Sequence, residues 1–296
     1  MKKTLLLFAV ALMMVACGQR DNEKIQPTEE KKTIAPTETP MVPMQQIPPT
    51  SNHAEMANPD AAVLHLEEGK PLDLSQLMGE RKTIQEQATE HIDTIRYQAE
   101  QGQRDFQYMY GVCLENGWGV DENVQQAATW YKKAADQEQT ASYNALGNLY
   151  RTGNGVKRDD KEALKWFQKG AEAGDAQAML NLGNCYYFGM GTEKSINEAL
   201  RWWQKSADGN NAYALAQVGD CYFYGIGVEK DMDKAIECFT QAADKNIPGA
   251  QYRLGILYFS GQGVKQDLAY SKLLLSKARD GGMKEAQEFL DKNFKE

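Results

Sequence analysis

Apolar positions in the second half of the chain recur at helical spacing, and the polar positions between them follow a pattern that repeats. In the run SYNALGNLYRT, Leu146 and Tyr150 lie four residues apart on one helical face with Gly147 beside them. The arrangement returns every 36 residues: Gly111, Gly147, Gly183, Gly219 and Gly255 are equally spaced. Each is followed six and eight residues later by a Gly-x-Gly pair, namely Gly117 and Gly119, Gly153 and Gly155, Gly189 and Gly191, Gly225 and Gly227, Gly261 and Gly263. Four residues further on stand Asn123, Asp159, Ser195, Asp231 and Asp267. Their side-chain oxygens suit the N-cap of a second helix, where first-turn amides need acceptors.

Each unit therefore predicts a helix A, a glycine turn that caps it by admitting positive φ, and a helix B. Helix B carries Ala127, Ala163, Ala199 and Ala235, then Tyr131, Phe167, Trp203 and Phe239, then Ala134, Gly170, Ser206 and Ala242. Small, large and small residues on one face suit antiparallel packing against helix A. Glycine inside a helix costs about 1 kcal/mol, so its return in every helix A implies a neighbour too close for a Cβ.

These units resemble the Sel-one-like repeat, a cousin of the tetratricopeptide repeat. The resemblance is carried by LGNLYRTGNGVKRDDKEALKWFQKGAEAGD in the second unit and VGDCYFYGIGVEKDMDKAIECFTQAAD in the fourth, and it spans residues 84–294. It implies an all-α fold: a right-handed α-solenoid of five 36-residue helix-turn-helix repeats over 105–282, with capping helices in 73–104 and 283–296. Residues 84–101 match a helix B without a glycine-bearing partner, and MKEAQEFLDKN matches a helix A with Asp291 at the glycine position. The first repeat departs with Leu114 where the others have tyrosine, and the last has Leu275 in place of the helix B aromatic.

The N-terminal part follows other rules. Lys2 and Lys3 precede an apolar stretch from Leu5 to Val15 that is too short to span a bilayer but suits a signal peptide over residues 1–16. Met14-Val15-Ala16-Cys17 resembles the lipobox of bacterial lipoproteins, which implies lipid attachment at Cys17 and a palmitate-bearing anchor. Gly18, rather than Asp, after the cysteine implies the outer membrane, facing the periplasm; cell-surface display or secretion is the alternative. Eight of the nine prolines fall between Pro27 and Pro71, so residues 17–72 are expected to form a disordered tether. As a coil it would reach roughly 40 Å.

Composition narrows the chemistry. With 33 Lys and Arg against 41 Asp and Glu the formal charge is −8, which disfavours nucleic acid as a partner. His53, His65 and His91 all precede the repeats, which removes the commonest general base and metal ligand from them, so no metal is expected. The repeats contain no Ser-x-x-Lys, Gly-x-Ser-x-Gly, His-Glu-x-x-His or phosphate loop, and no cofactor or enzymatic activity is expected. Cys113, Cys185 and Cys221 stand two residues after the helix A glycine, where other repeats have leucine, and read as small core residues. Cys238 replaces Trp130, Trp166 and Trp202. Cysteine-rich relatives bridge their helix pairs, so the resemblance makes Cys221 and Cys238 a candidate disulfide.

The resemblance also implies a binding face. In the tetratricopeptide fold the helix A residues at −3, +1 and +4 from the glycine line a groove. Here they are Asn144, Asn148 and Arg151; Leu180, Asn184 and Tyr187; Ala216, Asp220 and Phe223; Tyr252, Ile256 and Phe259. Asn148 and Asn184 resemble the pair that grips a ligand's backbone, since an amide offers both donor and acceptor. The lysines of a carboxylate clamp are missing, so a C-terminal carboxylate is not implied. Tyr187, Phe223 and Phe259 read either as exposed binding anchors or as packing between repeats. The expected function is a non-enzymatic, lipid-anchored adaptor or scaffold in the bacterial cell envelope, holding a partner protein or peptide in this groove. The alternatives are a cell-wall or β-lactam-acting enzyme of the cysteine-rich type, and a surface lipoprotein that binds host protein.

Overall fold

The structure, a computed structural model, describes residues 64–67, 70–72 and 84–294. The signal segment, Cys17 and most of the tether lie outside the described residues. Within the tether segment, β1 (Leu64–Glu67) and β2 (Lys70–Leu72) pair antiparallel, with Leu64 opposite Leu72 and Glu67 opposite Lys70.

From Ile84 onward the described chain is helical. The N-terminal cap forms α1 (Ile84–Glu90) and α2 (Ile92–Glu100), parted at His91, whose φ of −107° and ψ of 18° interrupt the helix. Five helix pairs follow: α3 (Arg104–Asn116) with α4 (Val124–Ala135), α5 (Thr140–Thr152) with α6 (Asp160–Glu172), and α7 (Ala176–Phe188) with α8 (Ile196–Asp208). Then come α9 (Ala212–Tyr224) with α10 (Met232–Asp244) and α11 (Pro248–Ser260) with α12 (Leu268–Asp280). Helix α13 (Lys284–Asn293) caps the C-terminal end. Each helix packs mainly on its neighbours in sequence, and α5 also touches α7. This is the pattern of a repeat array whose core is built one boundary at a time.

The recurring glycine of helix A faces the large residue of helix B. A Cβ on Gly111 would stand 2.6 Å from the Tyr131 ring, one on Gly183 2.5 Å from the Trp203 ring and one on Gly219 2.7 Å from the Phe239 ring. Gly147 meets Phe167 in the same way, and in the fifth repeat Gly255 meets Leu275. All five large side chains are at most 1% exposed. Burying each contributes about 1.5–3 kcal/mol, and glycine is what lets the ring lie flat against the opposite backbone.

The two turn glycines act differently. The first caps helix A in the left-handed conformation, with φ between 69° and 74°, and its N–H donates to the carbonyl four residues back, as Gly153 does to Leu149 at 2.8 Å. The second also has positive φ, but its missing Cβ makes room for the preceding repeat: a Cβ on Gly227 would lie 2.7 Å from Ile196 Cγ2. The second glycine is thus where one repeat's turn seats on the start of the previous helix B.

All five expected N-caps form. Asn123, Asp159, Ser195, Asp231 and Asp267 each accept a bond from a first-turn amide of helix B. Their own N–H groups donate back to carbonyls near the end of helix A, for example Asp159 to Tyr150 at 2.9 Å. The return turn from helix B to the next helix A holds a further left-handed position that the sequence reading missed. Gly102, Glu138, Gly174, Asn210, Asn246 and Gly282, again 36 residues apart, have φ between 59° and 91°. The signal was present as three glycines and two asparagines in register, and Glu138 obscures it.

Candidate functional site

The helix A positions at −3, +1 and +4 divide into two kinds of surroundings. In the second repeat, Asn144 Oδ1 accepts from Asn181 Nδ2 at 2.8 Å, and Asn148 Oδ1 accepts from Arg151 Nη2 at 3.2 Å. In the third, Asn184 Oδ1 accepts from Trp203 Nε1 at 3.1 Å, while Leu180 is buried. Tyr187 lies half-buried, 5.3 Å from the Trp203 ring, with Lys194 Nζ 5.1 Å from its own ring centre. Burial lowers the Arg151 guanidinium from its ordinary range. Among the described residues no carboxylate pairs with it, because nearby Asp160 is gripped by Arg158 at 3.0 and 3.1 Å.

The fourth and fifth repeats are closed. Asp220 accepts from Arg253 Nε at 3.0 Å across the repeat boundary, and burial pushes its carboxyl up, an effect that Arg253 opposes. Phe223 is 7% exposed and packs 6.3 Å from Phe239. Tyr252 and Ile256 are buried, and Phe259 packs against Phe289 of α13 at 5.1 Å and Phe294 at 5.6 Å. Of the two readings left open for the aromatics, packing holds for Phe223, which is buried, and for Phe259, which lies against α13, and Tyr252 is buried as well.

The cysteines are corrected in one respect. Cys113, Cys185 and Cys221 are at most 1% exposed and fill core positions, as expected. Cys221 and Cys238, the candidate disulfide, are free thiols in the structure. Cys221 points into the core in place of leucine, and Cys238 is half-buried. Burial pushes the thiols of Cys113, Cys185 and Cys221 up to about 12 and that of Cys238 to about 11, which keeps all four protonated and poorly nucleophilic at neutral pH. Among the described residues, no group of three or more His, Cys, Asp or Glu is placed to hold a metal, and no helix is long and apolar enough to cross a membrane.

The Sel1 repeat pattern matches residues 104–138, 140–175, 176–211, 212–247 and 248–283, more than half of the chain. The chain belongs to the Sel1 repeat family. A solved Sel1 repeat protein from Oxalobacter formigenes is 33% identical, with a TM-score of 0.61 over 64% of this chain and 77% of that one. A protective antigen present in uropathogenic Escherichia coli strains, also of this fold, is 34% identical with a TM-score of 0.61. The match covers 67% of this chain but only 43% of that protein. Among curated proteins none matches this chain. Sel1 repeat arrays are in general protein-interaction scaffolds.

Proposed function

We propose that this protein is a non-enzymatic scaffold that holds an extended segment of a partner protein on the helix A face of its second and third repeats. The observation that carries the reading is a contrast: Asn144, Arg151, Asn184 and Tyr187 stay partly exposed around a buried Asn148, while in the next two repeats Asp220 is paired with Arg253 and Phe223, Tyr252 and Ile256 are buried. The proposal includes lipid attachment at Cys17 and a place in the bacterial cell envelope, at the outer membrane facing the periplasm. That part rests on the lipobox-like Met14-Val15-Ala16-Cys17.

Mild crosslinking in the native host tests the binding role. A reproducible stoichiometric partner is expected, lost on Tyr187→Ala, which should lower the melting midpoint by only a few degrees; a partner retained by that variant and by Asn184→Asp would remove the face from consideration. Labelling with a palmitate analogue tests the anchor, since Cys17→Ser should abolish the label and release the protein from membranes.

A further inference from the structure

The sequence presents the asparagines of helix A as groups with both a donor and an acceptor to offer. In the structure each amide oxygen already accepts one bond. Asn148 Oδ1 is held by Arg151 Nη2, and Asn184 Oδ1 by Trp203 Nε1. Guanidinium and indole are donors only, so each bond fixes which way its amide is turned and leaves Nδ2 facing away. Asn144 Oδ1 also accepts, from Asn181, whose amide can serve as donor or acceptor. Among the described residues none of the three Nδ2 groups has an acceptor, and Arg151 has only the neutral oxygen of Asn148. Three partly exposed groups on two consecutive helix A segments, Asn144, Arg151 and Asn184, therefore offer N–H donors with no acceptor, while Asn148 is buried at 5% exposure.

The surrounding charge has the same sign. Lys194 lies over Tyr187, and Asp160, the nearby acid, is already neutralised by Arg158 through two bonds. On a chain of net charge −8 this is a local reversal. Such a set of donors is complementary to acceptors that carry negative charge, because charge-assisted hydrogen bonds to a carboxylate are about twice as strong as neutral ones.

We propose that this donor cluster selects an Asp or Glu side chain within the bound segment, with Arg151 taking the carboxylate and the asparagine Nδ2 groups taking its second oxygen or neighbouring backbone carbonyls. The proposal rests on the assignment of the helix A face as the binding surface and names what that surface prefers. The donors extend over two repeats, which fits a chain segment with several acceptors better than a single terminal carboxylate.

The test is selection from random 12-residue peptides displayed on particles through their C-termini, so that none carries a free terminal carboxylate, against the full chain. Enrichment of Asp and Glu is expected. A selected peptide should lose roughly tenfold or more in affinity when its acidic residue becomes the amide, from about 1.5–3 kcal/mol for a hydrogen bond to a charged group. Arg151→Gln should abolish the acidic enrichment. Asn184→Asp keeps the bond from Trp203 but turns a partly exposed donor into an acceptor, so it should select against acidic peptides. Peptides poor in acid that still bind Arg151→Gln but are lost on Tyr187→Ala would overturn the carboxylate proposal and leave the binding face standing. Selection of no peptide by the wild-type chain would overturn both.

Discussion

Repeats two and three and repeats four and five share one backbone, one glycine register and one set of helix A positions, yet treat their polar groups in opposite ways. In the later pair, Asp220 and Arg253 satisfy each other across the boundary and aromatic rings fill the face. In the earlier pair, the amide oxygens bond inward and the nitrogens are left without acceptors. The difference shows that positions equivalent in the repeat can add to the packed core in one place and stay partly exposed in another. Glycines, helix B rings and N-caps recur in both pairs, so the residues at −3, +1 and +4 are free to close a face in one place and open it in another.

The largest effect should come from the closed pair. Phe223→Ala is expected to cost about 3–5 kcal/mol in urea unfolding, as for other buried phenylalanines, whereas Tyr187→Ala, half-exposed at the equivalent position, should cost about 1 kcal/mol. Equal losses would erase the distinction. Gly183→Leu should cost roughly 1–3 kcal/mol or more, because its Cβ would meet the Trp203 ring at 2.5 Å, and an unmoved melting curve would refute the close approach. Glu138→Gly should stabilise by about 1 kcal/mol, since Glu138 holds a φ of 61° that glycine adopts without strain.

The smallest effect concerns pH. Burial raises the folded Asp220 carboxyl above its unfolded value, so its contribution favours folding most at acid pH and is lost as pH rises through the raised value. The pH dependence of unfolding should therefore flatten in Asp220→Asn; an unaltered profile would show that Arg253 cancels the burial.

Much of this was legible in the sequence because period and residue type pointed the same way. The helix pairs, the C-capping glycines and all five N-caps followed from a 36-residue register with no insertion. The return-turn position at Glu138 was missed because the residue there contradicts its own backbone conformation. The fate of Phe223, Tyr252 and Phe259 was not legible for another reason. Whether such an aromatic is open or buried depends on what the neighbouring helix brings: for Phe223 it is Phe239 of helix B, and for Tyr252 and Phe259 it is Phe289 of α13. The orientation of Asn184 depended on Trp203, nineteen residues away, whose indole N–H no local pattern advertises.

The seating of each turn glycine on the helix before it has a mechanical consequence. Tension applied between the ends of the array would be met by one boundary at a time, since each repeat leans mainly on its neighbours. Each boundary that yields would release 36 residues, up to roughly 120 Å of slack at about 3.3–3.6 Å per residue. Stretched by its two ends, the protein should lengthen as a staircase of equal treads, giving way in instalments while the remaining repeats keep their shape.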